Sequence, residues 1–301
     1  GTEVSAMVSV SSNERQSHHM QDWLLKPWQC EPSWWPHEQW RSGSCRWSRK
    51  PVTGIHRHGC RRREEVPTDR GGAAGAGPLT YAAAMDVREA LYTTRAMRRV
   101  KPDPIPDEVQ QRILDAAIRA PSGGNVQGWA FMLVDDPAQR EKIGAVYSDC
   151  IDMLWTTIYK ERLEAMAANP DDPDSKQFAA IKRSVDWAQE NFASYPLLFF
   201  AFDQADPTGG SIWPAVWNAQ LAARAEGVGS SLTSVLMFKN DEMNEILEWP
   251  ADEGWRMVCS VPMGYPTGSW GVAKRRPVHE VSYRNRWGTP VGFEIPEPLW
   301  P

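Results

Sequence analysis

Ala120-Pro121-Ser122-Gly123-Gly124-Asn125-Val126-Gln127-Gly128-Trp129 is the stretch on which the reading of this chain turns. It follows a run with helical apolar spacing, residues 108–119, and precedes a strand-like run, residues 130–134, so it is a polar loop pinned between two core elements. Pro121 stops the helix. Gly123 and Gly124 let the backbone approach a flat or charged group, while Ser122, Asn125 and Gln127 present hydrogen-bonding side chains. Alone, such a segment is either an ordinary turn or a ligand-binding loop.

Two other segments favour the ligand. Upstream lies Thr94-Arg95-Ala96-Met97-Arg98-Arg99, and downstream lies Ala273-Lys274-Arg275-Arg276-Pro277. Together the three resemble the flavin-dependent nitroreductase family, whose members open with Arg-Ser-x-Arg, continue with Pro-Ser-x-x-Asn-x-Gln and close with a basic Lys/Arg-x-Pro motif. The match runs in order over about residues 87–287. It departs at two positions: Ala96 stands where the family has Ser, and Thr94 where it often has a basic residue.

The resemblance implies an α+β fold with a central, mostly antiparallel sheet flanked by helices, assembled as an intertwined homodimer. It implies FMN as cofactor, NADPH or NADH as reductant, and a small aromatic electron acceptor, nitroaromatic or quinone-like, reduced by ping-pong hydride transfer through flavin N5. On this pattern Arg95 and Arg275, with Lys274 beside the latter, are the cations for the ribityl phosphate. Arg98 sits by the pyrimidine edge of the ring, with Ala96 and Met97 in the same binding segment.

Pro121, Ser122, Gly123, Asn125 and Gln127 supply polar contacts, in part from the second subunit, so that the site is incomplete in a monomer. Leu232, Thr233 and Ser234 lie against the ring near N5, where the Ser234 hydroxyl is a candidate hydrogen-bond partner. No catalytic protein acid or base is required, because the chemistry belongs to the flavin. Reductive dehalogenation, flavin-destroying ring cleavage, enone reduction and a non-catalytic flavin sensor stay open on the same pattern. Residues 148–194 correspond to the interval that commonly covers the substrate pocket in the family, and their aromatics, Trp155, Tyr159, Phe178, Trp187 and Phe192, either set selectivity or fill a core.

Composition sets further bounds. A formal net charge of −5 over 301 residues argues against a nucleic-acid binder working by general phosphate attraction. The strongest apolar run, residues 195–202, has the length of a buried strand, not of a membrane span, and the first residues lack the apolar core of a signal peptide. A cytoplasmic protein without membrane contact is expected.

Residues 1–84 differ from the rest. Trp, Arg, Ser, His and Pro crowd together without periodicity, five of the six histidines lie there, and eleven Lys/Arg against eight Asp/Glu give net +3, leaving −8 for the remainder. This part is expected to be disordered or a non-native extension, with residues 85–301 as the FMN-binding domain. Gly1 in place of an initial Met is expected of a processed or expression-derived terminus. Cys30, Cys45, Cys60, His56 and His58 lack paired metal-ligand spacing, so no metal site is expected, and the five cysteines form no disulfide framework. Cys150 and Cys259 sit among apolar neighbours and are expected to be buried thiols. His279, the remaining histidine, is expected at the surface.

From Asp86 onward regular elements are expected. An amphipathic helix carries Val87, Ala90 and Leu91, and if it runs on, Arg95 and Arg98 share one of its faces. Asp107 is a candidate N-cap for the next helix. Helices are expected from residue 137 to 147 and across most of 148–194, with a break at 169–173, and again at 212–226 and 241–247; strands are expected at 195–202, after Gly229, and at 255–263. The helix at 212–226 is apolar nearly all round, which suits a core or dimer position. Gly227-Val228-Gly229 runs from helix to strand, the reverse of a dinucleotide fingerprint, which excludes a Rossmann NAD domain. Residues 281–301 are expected as an extended arm on a partner subunit or as an exposed tail.

Overall fold

The computed structural model describes residues 85–204 and 206–300. The expectations for residues 1–84, including the absence of a metal site at Cys30, Cys45, Cys60, His56 and His58, lie outside the described residues.

The fold is built on a four-stranded antiparallel sheet in the order β1-β2-β4-β3, with β1 Trp129–Val134, β2 Leu197–Gln204, β3 Gly229–Ser230 and β4 Trp255–Gly264. β2 is buried along almost its whole length because both of its faces are covered. Leu198, Phe200 and Phe202 enter one apolar cluster, and Leu197, Phe199 and Ala201 the other. The period of two thus divides one strand between two cores.

On the second face lie α1 (Val87–Thr93), α2 (Asp107–Ala117) and α6 (Ile212–Ala225). Val109, Ile113 and Ala117 of α2 share this core with Ile212, Val216, Ala219 and Ala223 of α6, each set at helical spacing. Arg112 locks the pair with a two-pronged contact to Glu226, at 2.9 and 2.8 Å. The first face is covered by α3 (Pro137–Met153), a π turn at Leu154–Ile158, α4 (Lys160–Ala168), α5 (Pro173–Glu190) and α7 (Asn240–Leu247). Asp136 caps α3 and Asp172 caps α5, each with Pro as the first helical residue.

Trp155, Phe178 and Phe192 are buried in this first core. They therefore serve as packing, and the break at residues 169–173 is the turn between α4 and α5.

Two local expectations change. Asp107 is the first helical residue of α2, not its cap: Pro106 holds the cap position, and the Asp107 and Glu108 charges face the positive end of the helix dipole. α1 ends at Thr93, before the arginines. The Thr93 and Thr94 hydroxyls bond back to the carbonyls of Glu89 and Ala90, both at 2.6 Å, and Thr94 is already extended. Arg95 and Arg98 thus lie on extended chain and do not share a helix face. Among the described residues no helix is long and apolar enough to cross a membrane.

Candidate functional site

The first basic segment runs along the β3 edge of the sheet. Ala96 bridges Ser230, the Met97 N–H donates to the Ser230 carbonyl at 2.9 Å, and Val100 bridges Pro266. Glycine makes this approach possible. A Cβ at Gly229 would lie 2.9 Å from the Met97 Cβ, and one at Gly264 would lie 2.7 Å from a Val100 methyl. The Gly229 that fails as part of a dinucleotide fingerprint is therefore the seat of this segment. Met97 is buried beneath it as core, while Arg95 and Ala96 are exposed and Arg98 is half-buried.

Beyond β3 the chain continues beside β4, with Thr233 and Ser260 exchanging two backbone bonds of 2.9 Å. Leu232 and Ser234 are exposed and Thr233 is half-buried. Arg98 belongs to this neighbourhood. Tyr195 donates its hydroxyl to the Arg98 carbonyl at 2.6 Å. Burial pushes the Tyr147 phenol up to about 12, against the Arg98 charge and a hydrogen bond with Thr233, which both pull it down. Burial likewise raises Tyr195, with Arg98 and Arg99 opposing. Tyr195 therefore anchors the Arg98 backbone, and Tyr147 lies near both the Arg98 charge and Thr233; neither tyrosine is singled out as a site residue by the sequence.

The third segment approaches the first. The Thr267 N–H donates to the Arg99 carbonyl at 3.0 Å, the Lys101 N–H to the Tyr265 carbonyl at 2.7 Å, and Trp270 packs on Arg224, whose guanidinium also holds Thr93. The chain after β4 is thus carried back along residues 93–101 before it reaches the exposed Lys274 and Arg275.

The loop after α2 lies elsewhere. Its end, Trp129, pairs through Asp203 to Arg256 on β4, whereas Ser230 pairs with Met263. Loop and basic segment therefore occupy opposite corners of the sheet, three strand spacings apart across it and the length from Arg256 to Met263 along it, roughly 25 Å in all. Pro121, Gly123, Asn125 and Gln127 are exposed and Ser122 is half-buried. Within the loop Gly124, Asn125 and Gln127 all have left-handed backbones, with φ of 58, 56 and 54°. Two of these are not glycine: asparagine enters this region readily, so the strain in the arrangement falls on Gln127. It is held by the Ser122 hydroxyl, which accepts from the Gln127 N–H at 2.8 Å, and by the Gln127 amide donating to the Asn125 side chain at 3.1 Å.

Among the described residues, cysteine and histidine are poorly placed to act as nucleophile or base. Burial raises the Cys150 and Cys259 thiols to about 12 each, and His279, half-buried, accepts the Ile295 N–H on Nδ1 at 3.2 Å. The C-terminal arm presents Trp287 and Leu299 to solvent, while Trp300 packs on Tyr92 with ring centroids 5.9 Å apart.

The chain is 30% identical over 203 residues to a 5,6-dimethylbenzimidazole synthase of Rhodospirillum rubrum, an alignment covering 63% of this chain and 87% of that protein. It is 39% identical over 220 residues to an NADH dehydrogenase of Thermus thermophilus, covering 65% of this chain and 95% of that one. Its fold matches the crystal structure of oxidized iodotyrosine deiodinase bound to FMN and 3-iodo-L-tyrosine at a TM-score of 0.50 and 23% identity, covering 65% and 96% of the two chains. The nitroreductase family model matches residues 91–265, which takes in the first basic segment, the loop and residues 232–234 and leaves Lys274 and Arg275 beyond its end. That match spans more than half of the sequence, and the chain belongs to the nitroreductase family of flavin oxidoreductases.

Proposed function

We propose that this chain is a cytoplasmic, homodimeric, FMN-dependent NAD(P)H oxidoreductase that reduces flat electrophiles such as nitroaromatics and quinones. One observation carries the reading. Arg95, Arg98 and residues 232–234 share one edge of the sheet, while a strained polar loop with exposed Asn125 and Gln127 stands at the opposite corner. Neither half suffices for a ligand that is anionic at one end and flat and polar at the other. Two copies related by a two-fold axis bring the loop of one to the basic edge of its partner, twice over.

The donor set fits FMN. Exposed Arg95, Lys274 and Arg275 offer cations to a phosphate, Arg98 offers a charge to the pyrimidine edge, and Leu232 offers an apolar surface beside the Thr233 and Ser234 hydroxyls. When bound, FMN supplies the two-electron exchange between nicotinamide and acceptor. The chain's part is to hold and orient it. Tyr195 fixes the Arg98 backbone, Gly229 lets the segment lie close to the sheet, and the Ser122 hydroxyl keeps Asn125 and Gln127 presented.

Reductive dehalogenation is the second reading, favoured by the exposed Ser234 hydroxyl at the position matched to flavin N5 and by the deiodinase likeness of the fold. The test is the visible absorption spectrum of the purified protein, followed by NADPH and NADH in separate anaerobic cuvettes. Yellow protein that bleaches and is reoxidised by a nitroaromatic supports the reductase. Halide release from a halophenol without nitroaromatic turnover moves the assignment to the dehalogenase. Bound flavin inert to both nicotinamides leaves a sensor, and protein that takes up no flavin removes the proposal.

A further inference from the structure

Arg224 is the most deeply buried cation of the second core's helices, 5% exposed, and it joins two parts of the chain that are far apart in sequence, α1 and Trp270. Its Nε donates to the Thr93 hydroxyl at 2.8 Å, its terminal nitrogen pairs with Glu89 at 3.0 Å, and its guanidinium carbon lies 4.2 Å from the centre of the Trp270 ring. One helical turn earlier, the Gln220 amide donates to the Ser230 hydroxyl at 3.2 Å, and the Ser230 carbonyl holds Met97. α6 therefore grips the Thr93–Met97 stretch at both ends.

The positions are informative. Arg95 follows Thr93 by two residues, a reach of about 7 Å, and Lys274 follows Trp270 by four, a reach of about 14 Å. The planar guanidinium has one edge bonded to α1 and one face under Trp270, a combination that lysine cannot reproduce. A buried arginine is costly unless it is satisfied, and here it is satisfied by groups that adjoin the two basic segments.

We propose that Arg224 is a positioning residue for the phosphate end of the cofactor site, setting the spacing between Arg95 on one side and Lys274 and Arg275 on the other. This rests on the FMN reading above. Arg224 itself touches no cofactor; it acts through Thr93 and Trp270.

The test compares FMN with riboflavin, which lacks the phosphate, by equilibrium dialysis against the flavin-stripped full chain. Arg224→Gln is expected to raise the Kd for FMN about tenfold while leaving that for riboflavin within about threefold, with Arg224→Lys between Gln and wild type. Thr93→Val and Trp270→Leu, each removing one grip, are expected to shift FMN in the same direction by less, and they carry the test if Arg224→Gln does not fold. Equal changes for both flavins, or none, in Arg224→Gln or in that pair overturn the proposal. Arg275→Ala separates the two failures. If wild type shows no preference for FMN, or Arg275→Ala leaves the preference intact, the site reading falls; if Arg275→Ala lowers it and Arg224→Gln does not, only the role of Arg224 falls.

Discussion

Met97 lies directly over Gly229, so close that a Cβ on the glycine would sit 2.9 Å from the methionine's own Cβ. The contact fixes how near the first basic segment comes to the β3 edge. Gly229→Ala is expected to cost about 1–3 kcal/mol through overpacking, with a fall in melting temperature of roughly 3–10 °C and loss of bound flavin on dialysis. Gly254→Ala is the control, since its Cβ would meet open space and its φ of 87° brings backbone strain alone. It should lower stability and leave flavin retention of the folded protein unchanged.

Asp206 controls the start of α6. Burial pushes its carboxyl up, but the N–H groups of Ser211 and Ile212, the Thr208 hydroxyl and the Gly210 N–H outweigh this and hold it below the ordinary 3.8. A carboxyl depressed by folding stabilises the native state fully above its unfolded value, and that contribution is lost as pH falls through the folded one. Asp206→Asn should therefore destabilise at pH 7 by about 0.5–1 kcal/mol, toward the low end of capping effects because the group is partly exposed. Urea melts at a series of pH values should show the difference between variant and wild type shrinking as pH falls below about 4.

Cys150 and Cys259 are fully buried and their thiols are raised to about 12. Alkylation of the native protein at pH 8, mapped by mass spectrometry, should leave both unmodified, and unfolding in guanidinium should expose both. Rapid native modification of either would contradict the packing described here.

Removal of residues 1–84 is expected to keep flavin content and nicotinamide-dependent turnover within about twofold of the full chain, since the elements that carry the proposed site begin at Asp86. A truncated protein that folds yet loses both would move the activity to the N-terminal segment.

The sheet's centre was legible in the sequence because residues 195–202 form an apolar run that two cores must cover, and the helix at residue 212 because a run of that length, apolar nearly all round, suits a buried helix. The loop was legible for its glycines and polar residues, but not for the left-handed Asn125 and Gln127, since nothing in their side chains requires that conformation. Whether the first helix runs on to Arg95 and Arg98 was not legible, because the apolar pattern cannot show where two consecutive threonines bond back to the preceding turn. Residues after Gly229 looked like a longer strand, yet only Gly229–Ser230 pairs as one before the chain enters a 3-10 turn at Val235–Lys239. Nothing local marked Tyr147, Tyr195, Arg224 or Trp270 as bearing on the site. Their importance comes from contacts made across the fold, and spacing along the chain does not encode those.

The separation of the loop from the basic edge within one chain makes the shared site the central claim. Its most direct measurement is the flavin content of co-expressed, doubly tagged heterodimers in which one copy carries Asn125→Ala with Gln127→Ala and the other Arg95→Ala with Arg98→Ala. Each variant alone should purify as a colourless dimer, while the mixed dimer, which retains one intact pairing of loop and basic edge, should hold one FMN. A colourless mixed dimer, or a wild-type monomer that binds FMN stoichiometrically, would contradict a site divided between two copies.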